Sequence, residues 1–202
     1  DGGDDDAGQA SMKDSLVILI FTTSALSFLG CTGIIVSYLL FEKLRRAAFK
    51  LVRNLAISDL GFAASFAINA IGRSRSGCRA QCTAQATIQS YFELSSVLWT
   101  TVMSDRLYRT VIHDETMPRT MLNGDRLTYL CNLYAWGLPL VIALAPLHFP
   151  GGWKSQYGTQ SGVPWCWIKE AAGEQPLNYW RLTYYVPLWI GIAFNLWCTF
   201  VV

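Results

Sequence analysis

The chain has 202 residues, 52% of them hydrophobic and only 15% charged, with a formal net charge of +2. Soluble domains carry about 25% charged residues, so a mean hydropathy of +0.28 predicts a membrane protein. A soluble enzyme is excluded on the same ground, since no nucleophile, base and orienting group stand together anywhere in the sequence.

Residues 1–14 open with Asp1, Asp4, Asp5 and Asp6 among glycines, which predicts a disordered acidic tail. The remainder, 15–202, reads as an all-α integral membrane domain. Crossing a hydrocarbon core of about 30 Å as a helix takes about 20 mostly apolar residues, and five stretches qualify: 16–41, 51–72, 82–112, 127–149 and 182–202. A barrel would instead alternate every second residue over shorter segments. Lys43, Arg45, Arg46, Lys50 and Arg53 crowd the link between the first two spans. The positive-inside rule places that link in the cytoplasm and the N-terminus outside. Pro139 and Pro146 within the fourth span predict a kink, and the long outer connection after it, bearing Trp153, Trp165 and Trp167, is expected to fold over the helix bundle. The last apolar run reaches Val202 without a polar cap, and further chain is expected beyond it.

The third span organises the rest. Gln85, Gln89, Glu93, Ser96 and Thr100 recur every three or four residues, which puts them on one face of a helix. A charged side chain at the bilayer centre costs about 2.5 to 3.5 kcal/mol even on lenient scales. The face bearing Glu93 must therefore turn toward other helices or a wet cavity. Asp59 in the second span carries the same obligation.

Of six cysteines, Cys31, Cys131 and Cys198 fall within spans, whereas Cys78, Cys82 and Cys166 fall on the outer side, where disulfides persist. Cys82 with Cys166 is the favoured pair, because Cys82 heads the third span and Cys166 sits between tryptophans in the long outer loop. Cys78 as the partner, with Cys82 idle, is the alternative. His113 and His148 are the only histidines, and no metal-binding spacing is present. No cofactor is expected.

Leu29-Gly30-Cys31, Leu98-Trp99-Thr100, Trp136-Gly137-Leu138-Pro139-Leu140, Trp165-Cys166-Trp167-Ile168 and Tyr185-Val186-Pro187, in that order and spacing, resemble the slime-mould cyclic AMP receptor family of seven-helix G-protein-coupled receptors. The likeness runs from about Leu16 to Val202 and implies five of seven expected spans. Asn54-Leu55-Ala56-Ile57-Ser58-Asp59-Leu60 and Asp105-Arg106-Leu107-Tyr108 look more like the rhodopsin class, with Leu107 standing where that class has tyrosine.

This resemblance implies a multi-pass plasma-membrane receptor whose partners are an extracellular ligand, a heterotrimeric G protein and the lipid bilayer, with no nucleic acid. It makes Asp59, Asp105 and Arg106 candidate switch and coupling residues. It also places Gln85, Gln89, Lys169, Arg181 and Tyr185 as candidate ligand contacts near the outer mouth. Arg73, Arg75 and Arg79 join Lys169 and Arg181 on the outer side, so the expected ligand is small and anionic, cyclic AMP being one candidate. An ion- or proton-coupled transporter or channel, with Asp59 and Glu93 on a midplane path, is the alternative.

Overall fold

The computed structural model describes residues 3–44, 47–73, 79–112, 126–148, 157–159, 165–168 and 179–202. Six helices and a small hairpin account for nearly all of them: α1 (Gly3–Leu40), α2 (Ala47–Arg73), α3 (Arg79–Ile112), α4 (Arg126–Asn132), α5 (Leu138–His148), β1 (Tyr157–Thr159), β2 (Cys166–Ile168) and α6 (Tyr179–Val201). Helix α4 continues into α5 through one π turn, Leu133–Gly137, so the two form one crossing element. Each of the five stretches expected to span a membrane is helical over most of its length.

Helix α1 begins at Gly3, inside the stretch read from composition as a tail.

Helices α1 and α2 form an antiparallel pair joined through a 3-10 turn, Glu42–Leu44. Its inner end is fastened by the Arg53 guanidinium, which sits 5.0 Å from the centroid of the Tyr38 ring. Arg53 also donates through Nε and Nη2 to the Asn54 side-chain oxygen. By length and composition, Ser15–Leu40, Arg126–Leu147 and Arg181–Val201 can cross a bilayer. Helices α2 and α3 are more polar and find their solvation inside the bundle. Hydroxyls that would be costly in hydrocarbon return to their own helix: Thr87, Ser90, Thr100 and Thr101 each donate to the carbonyl four residues back.

The π turn has a local cause. Pro139 lacks an N–H, and its ring would clash with the carbonyl of Ala135 in a regular helix. Widening the preceding turn relieves that clash, and Leu138 N–H bonds instead to the Leu133 carbonyl, five residues back. The wider turn brings Trp136 edge-on to Trp99 at 5.8 Å and within 6.2 Å of Tyr91, both on α3. A kink predicted from proline thus takes the form of an aromatic contact between elements.

Helix α3 is the axis of the molecule, packed against α2, α5, α6, the π turn and both strands. Ala86, Leu94, Leu98, Trp99 and Val102 form the spine of the core. Two glycines set how near its neighbours come. A Cβ on Gly61 of α2 would lie 2.5 Å from the Phe92 ring, and one on Gly191 of α6 would lie 2.9 Å from Val97 Cγ1. Small residues permit such close crossings where helices meet within a membrane. Gly61→Ala is expected to cost about 1 to 3 kcal/mol through overpacking, read as a lower melting temperature of the full-length protein in detergent. Phe92→Leu in the same chain should restore part of the loss, and a Gly61→Ala protein melting with wild type would contradict the crossing.

Candidate functional site

The outer end of α3 is covered by the hairpin β1–β2, whose antiparallel register sets Tyr157 opposite Ile168 and Thr159 opposite Cys166. Each end of β2 is held by a helix. Cys166 is disulfide-bonded to Cys82 of α3, with Cα atoms 5.4 Å apart, so the favoured pairing is the one present. Cys78 lies outside the described residues. Gln85 Oε1, fully buried, accepts the backbone N–H of Cys166 at 3.2 Å. At the other end, Arg181 of α6 donates through Nε and Nη2 to the Ile168 carbonyl, at 3.3 and 3.1 Å. Backbone groups on the edge of β2 turned away from β1 are thereby satisfied by side chains instead of water.

Tyr157 fixes the other strand. Its ring is buried and its hydroxyl donates to the Ala143 carbonyl of α5 at 3.0 Å. Burial pushes that hydroxyl up to about 12, against the opposing pull of a hydrogen bond with Ser90. It therefore remains a protonated donor throughout the physiological range. Nothing in the sequence flagged Tyr157, since a three-residue strand carries too little alternation to show a period.

Below the hairpin, Trp167 meets Tyr184 of α6 edge-on at 5.1 Å. Tyr184 is almost wholly buried, with its hydroxyl turned toward Glu93 of α3 and, among the described residues, without a completed hydrogen bond. Tyr185 stands beside it, 38% exposed, its ring 5.3 Å from that of Tyr184. The aromatic hydroxyl nearest the α3 carboxyl thus belongs to Tyr184, which the sequence reading passed over. Gln89 is buried and accepts a long 3.5 Å contact from Gln85 Nε2. Lys169 and Arg75 lie outside the described residues, as do the side chains of Arg73 and Arg79.

Midway along the bundle, the Ser96 hydroxyl donates to Asp59 Oδ1 at 2.6 Å. A hydroxyl-to-carboxyl hydrogen bond this short ties α2 to α3 midway along the bundle.

At the inner end, Asp105 is shared. Arg109, one turn on, closes on both carboxylate oxygens at 3.0 and 3.1 Å, while Arg106 Nε stands 3.6 Å from Asp105 Oδ2. Only 12% of the Arg106 side chain is exposed, and among the described residues its Nε makes no hydrogen bond. Among the described residues, one carboxylate thus faces two guanidiniums.

The helix bundle thus carries a disulfide-anchored hairpin at one end and an arginine-rich helix terminus at the other. Residues 30–202 match the seven-transmembrane receptor (rhodopsin family) pattern, and the chain belongs to that family. It is 33% identical over 190 residues to G-protein coupled receptor 1 of Arabidopsis thaliana, covering 93% of this chain and 52% of that one. It is 29% identical over 177 residues to G-protein coupled receptor 157 of Homo sapiens, covering 84% and 50%. With Cyclic AMP receptor-like protein A of Dictyostelium discoideum it shares 30% identity over 183 residues, covering 91% and 43%. The chain thus spans about half the length of these relatives. Squid rhodopsin has the same fold over 95% of this chain and 52% of its own, at a TM-score of 0.73 and 19% identity.

Proposed function

We propose that this chain supplies the ligand-facing and coupling helices of a plasma-membrane receptor that binds a small anionic extracellular ligand and signals to a heterotrimeric G protein. One observation carries the reading: a single helix, α3, holds the outer hairpin at Cys82 and Gln85 and bears the Asp105, Arg106 and Arg109 cluster near its other end. Cys82 and Arg106 are 24 positions apart, which is about 36 Å along a helix at 1.5 Å per residue. A ligand that binds two arrangements of this helix unequally shifts their populations at both ends. Membership of the receptor family favours this reading over the transporter alternative.

Gln89, Arg181, Tyr185 and Lys169 are the proposed ligand contacts, with Gln85 holding the floor of the hairpin. Arg181 is the most informative of them. Its guanidinium already serves the Ile168 carbonyl through two nitrogens, so an anion docking here would meet a cation oriented by the hairpin. A charge-assisted hydrogen bond is worth about 1.5 to 3 kcal/mol, so Arg181→Ala is expected to weaken binding by about 10- to 100-fold. Arg75→Ala should do much less, since exposed ion pairs contribute about 0 to 1 kcal/mol. The assay is radiolabelled cyclic AMP binding to surface-expressed full-length protein, with other small phosphates and carboxylates as competitors. Activation by a cation or a neutral lipid, or unchanged affinity in Arg181→Ala, would defeat the anionic-ligand reading.

A further inference from the structure

Between α3, the π turn and α6, near their inner ends, lies a cavity of about 240 Å³ lined by Thr101, Val102, Asp105, Arg106, Cys131, Tyr134 and Phe194. We propose that it binds the anionic headgroup of a single-chain lipid from the cytoplasmic leaflet, the carboxylate of a fatty acid being the simplest case, with the Arg106 guanidinium as its counter-ion.

Charge gives the first argument. Among the described residues that line the cavity, Asp105 is the only acid, and Arg109 occupies both of its oxygens at hydrogen-bond distance. Arg106 is left with a 3.6 Å contact and a buried Nε that no described residue accepts from. An incompletely paired guanidinium in the wall of a cavity attracts an anion, and a carboxylate matches its planar fork.

Shape and depth give the second. A volume of 240 Å³ is below the range of about 300 to 1,000 Å³ typical of sites for whole drug-sized ligands. It suits a headgroup and the first few carbons, with the remaining chain outside. Tyr134 both lines the cavity and is 38% exposed, and Leu130 and Leu133 beside it on the same element are more exposed still. These side chains belong to a helix apolar enough to cross a bilayer, so the mouth they flank opens toward acyl chains. Arg106 lies in the last two turns of α3, at its inner end, on the side of a leaflet whose lipids are commonly anionic.

Cys131, a free thiol in the cavity wall, makes occupancy measurable. Full-length protein in nanodiscs of neutral phosphatidylcholine is treated with a membrane-permeant maleimide, and modification of Cys131 is followed by peptide mass spectrometry. Oleate is expected to protect the thiol at a concentration about tenfold lower than oleyl alcohol does, the gap that one charge-assisted hydrogen bond supplies. Acetate at matched concentration should not protect. Arg106→Gln should bring oleate and oleyl alcohol together, whereas Arg106→Lys, which preserves the charge and reports that the fold is intact, should retain part of the gap. Equal protection by oleate and oleyl alcohol in wild type would overturn the proposal. So would a gap that survives Arg106→Gln, protection by acetate equal to that by oleate, or no protection by any of the three. The readout is thiol modification, so the result stands apart from whether the receptor couples to a G protein.

Discussion

Cys82→Ser is expected to remove most of the protein from the cell surface and to abolish ligand binding in what remains. The bond joins positions 84 residues apart, and a closed loop of that length is worth about 4 to 5 kcal/mol by chain entropy. Domains are stable by only about 5 to 15 kcal/mol in total. The other clamps on β2, from Gln85 and Arg181, depend on the strand being in place and cannot substitute for a covalent link. Cys166→Ser should be equally damaging, and the double variant no worse than either single, because both delete one shared interaction. Surface labelling of tagged full-length protein measures the first effect and non-reducing peptide mapping the second. Surface level and binding at wild-type values in Cys82→Ser, or recovery of Cys82 linked to Cys78 from native protein, would remove the basis of this expectation.

What could be read from the sequence depended on whether a residue's surroundings are set by its own helix or by a neighbour. Apolar run length is a property of the chain, so the five spans were visible. Polar spacing along α3 showed that Ser96 and Glu93 had to face inward, because hydrocarbon forbids the alternative. It did not show that Ser96 would find Asp59 on α2 while Glu93 looked toward Tyr184 on α6.

Span five carries no charged residue from Leu182 to Val202, so charge does not mark its inner face. That face runs through Tyr184, Leu188, Gly191 and Cys198, at spacings of four, three and seven, and Tyr185 falls beside it. Proline signalled irregularity in span four, yet whether a kink or a π turn results depends on what the displaced side chain can touch, here Trp99 and Tyr91. The hairpin is stabilised almost wholly from outside itself, by residues at positions 82, 85, 143 and 181. No local pattern could have announced it.

Arg106→Ala is expected to abolish G-protein coupling while leaving ligand affinity within about threefold, because the residue lies about 36 Å down α3 from the outer clamp and touches none of the hairpin's anchors. Its burial is the reason for the size of the effect. A guanidinium that is 12% exposed and incompletely paired with Asp105 is held in place by the surrounding helices, and rearranging those helices changes its partners. Arg109, whose side chain is 49% exposed, is the control: it lies on the same cluster, and Arg109→Ala should lower coupling several-fold at most, as exposed pairs contribute about 0 to 1 kcal/mol. Asp105→Asn tests the direction of the device. Neutralising the shared carboxylate releases Arg106 from its 3.6 Å partner, so if that contact restrains the helix end, the variant should signal above the wild-type baseline without ligand. Full-length receptors at matched surface level, assayed for ligand binding and for G-protein dissociation in cells, separate these outcomes. Wild-type coupling in Arg106→Ala would reduce the residue to a snorkelling cation at the inner interface, and an unchanged baseline in Asp105→Asn would mean that the carboxylate positions Arg109 without restraining Arg106.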